Sequence, residues 1–149
     1  MQQIFNILSK ALSILLYPLF MPTYGMGLYM CVMHHRTPHL PNAYIWVATI
    51  GTLVITALIP IVLLLVLWKR GNISSLYIDD AKERTTPYIY SLICYGFWCY
   101  FVGVTLQMPL VWLVVAIGST CALLAVTIIN RWWKISAHLT GIGGLLGGI

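Results

Sequence analysis

Lys134, Ser136 and His138 fall within five residues of one another, in the stretch NRWWKISAHLTGIGG. A cation and a hydroxyl can both donate to an oxyanion. An imidazole titrates near neutrality and can hand a proton to a departing oxygen. Lys82 and Arg84 add two more cations in an earlier polar stretch, KRGNISSLYIDDAKERTTP. Cations and donors of this kind, brought to one place, suit a phosphate group. A plainer reading stands beside this one: Ser136 caps a helix, His138 sits at an interface, and Lys82 and Arg84 anchor to headgroups.

These residues are set in a chain that is 60% hydrophobic and 7% charged over 149 residues. Soluble domains carry about 25% charged residues. So much apolar surface calls for a bilayer as solvent. The net charge of +5 does not indicate nucleic acid, because the basic residues are scattered between apolar runs, as membrane-edge anchors are. The four cysteines all lie in apolar runs without a CxxC pair and read as buried free thiols. The N-terminus lacks the pattern of a cleavable secretory signal.

The apolar runs predict an all-α polytopic membrane bundle, a single membrane domain over 1–149, with four transmembrane helices and the start of a fifth. The first span covers Ala11 to Met33 and is expected to be kinked or broken by Pro18, Pro22, Gly25 and Gly27. A polar loop from His34 to Asn42 follows. The second span covers Ala43 to Trp68, with a kink at Pro60. A long polar loop from Lys69 to Pro87 holds all three acidic residues. The third span runs from about Tyr88 to Leu106, Gln107 to Pro109 turn tightly, and the fourth span runs from Leu110 to about Trp133. The run after His138 is Gly-rich, so a neighbouring helix can approach it closely.

Four crossings place the N-terminus, the 69–87 loop and the 130–138 segment on one side. Lys10, Lys69, Arg70, Lys82, Arg84, Arg131 and Lys134 lie there, against Arg36 alone on the other. The positive-inside rule makes that side cytoplasmic, and setting aside Lys82, Arg84 and Lys134 as functional leaves four against one. The protein is expected in the cell membrane as a multi-pass protein.

Ser136-Ala137-His138 resembles the second signature of the type 2 phosphatidic acid phosphatase superfamily, Pro-Ser-Gly-His. Arg84-Thr-Thr-Pro87 and the Gly-rich helix after Trp-Lys-Ile-Ser-x-His resemble one bacterial branch of it. The likeness runs from about Asp79 to Ile149. It implies a helical-bundle phosphatase acting on lipid phosphates or polyprenyl diphosphates, with no metal or other cofactor. By this resemblance Arg84, Lys82 and Ser136 bind phosphate and His138 is the general acid. The departures are specific. Tyr77 stands where the first signature has lysine, and Thr85 where it has proline. Ile135 and Ala137 replace the proline and glycine of the second. The third signature, which carries the nucleophilic histidine, is absent, since no histidine follows His138. The chain therefore reads as an N-terminal part of a longer phosphatase-like domain or a divergent relative, inactive by itself. Its partners would be membrane lipids and a lipid phosphate substrate.

A protein that binds anionic lipid or a membrane partner without chemistry is the alternative. Asp79-Asp80 reads as a helix cap rather than a Mg²⁺ site. Three imidazoles, His34, His35 and His39, could hold a zinc, but on the face opposite the motif.

Overall fold

Long unbroken apolar runs leave the backbone no partner but itself in a bilayer, and helices follow. The computed structural model describes residues 17–36, 39, 41–71, 81–133 and 137–148, with the backbone alone at 81–84, 137–138 and 148. Every regular element among them is helical. A 3₁₀ turn, Pro18–Phe20, leads into α1 (Met21–Arg36). Then come α2 (Asn42–Lys69), α3 (Ala81–Tyr100, carried on by a wider turn at Phe101–Thr105), α4 (Leu110–Ile129) and α5 (Ala137–Gly148). Three segments are long and apolar enough to cross a membrane: Asn42–Lys69, Thr85–Thr105 and Leu110–Ile129. The sixteen residues of α1 reach about 24 Å. The fourth crossing of the sequence reading thus depends on residues 1–16, outside the described set.

The boundaries need three corrections. α1 runs unbroken through Pro22, Gly25 and Gly27, because Pro22 stands in its first turn, where no N–H is needed. The break falls earlier, at Tyr17 and the Pro18 turn. His34, His35 and Arg36 are the last turn of α1, not a loop. The 69–87 loop is likewise shorter: Ala81, Lys82, Glu83 and Arg84 are good helix formers, so α3 starts at Ala81 and carries Arg84 to Pro87 on its first turns.

Pro60 does not break α2. It has no N–H for the carbonyl of Thr56, and the preceding Val54–Leu58 widens into a π-helical turn closed by Ile59 N–H on Val54 O. Inside that turn Thr56 is fully buried. Its hydroxyl donates to Thr52 O at 2.9 Å and lies 3.3 Å from Leu19 O. This ties the non-helical entry of α1 to the middle of α2, and non-helical backbone at that depth persists only where protein covers it. At the end of α3, Leu106 N–H reaches Phe101 O and Gln107 takes a left-handed φ of 46°. This is the tight turn expected at Gln107 to Pro109.

Helices consecutive in the chain are antiparallel, and matched contacts set their register. Trp98 Nε1 donates to Thr52 Oγ1 at 3.1 Å, Tyr44 Oη donates to Leu106 O at 3.0 Å, and Cys99 lies 3.2 Å from Thr120 Oγ1. Phe101 covers Gly51 so closely that any Cβ there would enter its ring. The core is built from Met26, Met30, Ala48, Tyr95, Trp98, Val102 and Trp112. All four cysteines are free, but Cys31 and Cys121 are exposed on the outer surface rather than buried.

Exposed tryptophans mark two planes. Trp46 lies toward one end of α2 and Trp68 at the other, with Trp132 and Trp133 at the end of α4. Twenty-two residues of helix separate Trp46 from Trp68, about 33 Å, close to the roughly 30 Å of a hydrocarbon core.

Candidate functional site

The register fixes where the polar stretches stand. Ala81 is seventeen residues before Trp98, and Lys69 is seventeen after Thr52. Because Trp98 and Thr52 face each other, the first turn of α3, with Lys82 and Arg84, lies level with Lys69. Exposed Lys69, Arg70 and Arg131 occupy the same end. α4 ends there too, and α5 starts from that side. Lys134 and Ser136 lie outside the described residues. His138 is the second residue of α5, and its backbone alone is described, as at Lys82 and Arg84.

The start of α5 is not level with the start of α3. A Cβ on Gly141 would stand 2.9 Å from Pro18 Cβ and 3.1 Å from Pro18 Cα. One on Gly25 would stand 3.4 Å from Leu145. α5 therefore runs parallel to α1 and beside its entry, which Thr56 pins to the middle of α2. Counting along the helices puts the backbone of His138 about 10 Å deeper in the bundle than that of Arg84. The backbones of Lys82 and Arg84 and that of His138 thus lie toward one end of the bundle but at different depths, while Lys134 and Ser136, grouped with them in the sequence reading, lie outside the described residues. Phosphate held by both would sit between a cationic rim and a deeper imidazole.

α4 separates the two stretches. α3 and α5 both pack on it, and α2 and α1 complete the two flanks. At its C-terminal end Asn130 is 1% exposed, a buried polar side chain at the end of the bundle that carries the first turn of α3. Sequence reasoning assigned it no role. At the opposite end of α4, Trp112 lies edge-on to Tyr29 at 5.0 Å. Among the described residues, Trp112 Nε1 and Thr23 Oγ1 are buried without a hydrogen-bond partner.

Gly141 is the contact that seats α5. Gly141→Leu is expected to lift α5 from Pro18, because the neighbouring atoms include backbone that cannot swing aside. Overpacking of this kind costs about 1–3 kcal/mol. Thermal unfolding in detergent should show the loss, and cysteine accessibility at position 139 should rise; unchanged values would place α5 elsewhere.

At the opposite end stand His34, His35, Arg36 and His39, all exposed. Among the described residues no three of His, Cys, Asp and Glu gather closely enough to hold a metal ion. No family model, curated protein or solved structure matches this chain.

Proposed function

We propose that the chain is a membrane-embedded, phosphatase-like protein that binds the phosphate of a lipid phosphate or polyprenyl diphosphate. The observation that supports this is the shared end of two polar stretches. The first turn of α3 brings Lys82 and Arg84, and the segment entering α5 brings Lys134, Ser136 and His138. Buried Asn130 lies on the helix between them. In this reading Arg84, Lys82, Lys134 and Ser136 bind phosphate oxygens. His138, deeper in the bundle, protonates the leaving oxygen. Asn130 is a positioning residue.

A lipid is the fitting phosphate carrier, since its tail stays in the hydrocarbon while its headgroup reaches the rim. Four crossings, with the Lys69 end in the cytoplasm, suit the exposed basic residues. Among the described residues Lys69, Arg70 and Arg131 lie at that end and Arg36 at the other.

In this reading Ser136 is committed to binding phosphate and His138 to protonating the leaving oxygen, so no residue placed in the site is left to attack phosphorus. The purified 149-residue chain, incubated with phosphatidic acid in chelator, is expected to hold the lipid and release no phosphate above a blank. Robust release that disappears in His138→Ala would show that the nucleophile lies within these residues. Equal retention of phosphatidic acid and phosphatidylcholine would favour a membrane protein without a phosphate site.

A further inference from the structure

We infer that the Arg36 end of the bundle, opposite the proposed phosphate site, is a proton-dependent contact surface for anionic lipid headgroups. His34, His35 and Arg36 form the last turn of α1, His39 follows in the turn to α2, and all four are exposed. The antiparallel register sets them beyond the plane of Trp46, which is itself 63% exposed. They therefore stand at headgroup depth, where lipid phosphates are.

Among the described residues no carboxylate stands at this end: Glu83 is on the first turn of α3, at the other end, and Asp79 and Asp80 precede it in the sequence, outside the described residues. Thr37, Pro38 and Leu40 carry no charge. The elements packed against α1 bring no charged group either. α2 brings Tyr44, whose hydroxyl is engaged by Leu106 O. The α3–α4 turn brings Gln107 and Met108, and the far end of α5 is glycine and leucine. Imidazole is the side chain that gains charge between pH 8 and pH 5. Three imidazoles and the Arg36 guanidinium thus stand together at this edge of the bundle.

Zinc is the poorer occupant. The rings of His34 and His35 stand 6.1 Å apart at 62°, and among the described residues no third ligand gathers with them. An anionic lipid surface needs no convergence; it responds to each cation within a Debye length.

The test uses the full chain in phosphatidylcholine vesicles containing phosphatidylglycerol brominated near the headgroup. Quenching of Trp46, obtained by difference from Trp46→Phe, reports how strongly phosphatidylglycerol is preferred at that end. The preference should rise between pH 7.5 and pH 5.5, by about fivefold for each imidazole that becomes charged at the surface. Lys and Arg stay charged over this range and carboxylates stay ionised, so neither supplies the change. The variant with His34, His35 and His39 all changed to Gln should show no rise. The matching change to Arg should show the high preference at both pH values, which guards against a folding defect in the first. A pH-independent preference in the unaltered chain overturns the inference, as does a rise that survives in the Gln variant. So would loss of the rise on adding chelator, which would indicate a bridging metal, or soluble glycerol phosphate, which would indicate a free-anion site.

Discussion

Arg84→Gln is expected to weaken binding of phosphatidic acid by about 10- to 100-fold while leaving phosphatidylcholine association unchanged. A hydrogen bond to a charged partner contributes about 1.5–3 kcal/mol, and glutamine keeps a donor but loses the charge. Arg84 stands on the first turn of α3, level with the membrane edge at Lys69. It is a backbone position that glutamine occupies equally well in a helix. Lys is a point charge without the planar fork of Arg, so Arg84→Lys should recover part of the loss. Native mass spectrometry of the detergent-solubilised chain with each lipid measures the ratio. An unchanged ratio in Arg84→Gln would reduce Arg84 to a headgroup anchor. The other proposed ligands should lose less individually, because a lysine is a point charge without the planar fork of arginine and Ser136 is neutral.

Trp98→Ala should be the most destabilising single change in the bundle. Trp98 is fully buried, packs edge-on against Tyr95 at 5.8 Å, and donates to Thr52 from the middle of α3 to the middle of α2. Removing a buried aromatic side chain costs about 3–5 kcal/mol. The hydrogen bond is the smaller share, since interhelical bonds in membranes average about 0.6 kcal/mol. Trp98→Phe, which keeps most of the ring and drops the N–H, should therefore cost about 1 kcal/mol. Unfolding in a denaturing detergent series gives both numbers. Equal losses in the two variants would mean that the hydrogen bond, not the packing, holds α2 to α3.

Much of this architecture is legible in the sequence, because apolar runs of span length admit few other structures. α2 follows its run to within a residue at each end, α4 starts at Leu110 as expected but stops at Ile129, short of Trp133, and the turn at Gln107 to Pro109 stands where expected. The helix ends were harder. Residues 81–87 and His34 to Arg36 are polar and read as loops, yet polar residues extend a helix beyond a bilayer as readily as they form a turn. Pro60 announces a distortion, but not its form as a wide turn whose threonine, Thr56, reaches Leu19. The glycines after His138 announce a close approach, and Gly141 makes it against Pro18.

The site divides along the same line. That Lys82 and Arg84 share an end with the segment before α5 follows from the parity of helical crossings, which a sequence reveals. The depth of His138 does not. It depends on Thr56 meeting Leu19 and on Gly141 meeting Pro18, contacts between segments 37 residues apart in the first case and far more in the second. The burial of Asn130 is likewise a matter of packing, and a lone polar residue ending an apolar run does not announce it.

The most direct measurement is photo-crosslinking with phosphatidic acid carrying a diazirine at the glycerol end of one acyl chain, which leaves its phosphate free, at pH 7.5 in vesicles, with peptides mapped by mass spectrometry. Labels should concentrate at residues 81–87 and 130–141, and should fall there when unlabelled phosphatidic acid competes but not when phosphatidylcholine does. Labels spread evenly along both membrane edges, or displaced equally by phosphatidylcholine, would contradict a phosphate site at that end of the bundle.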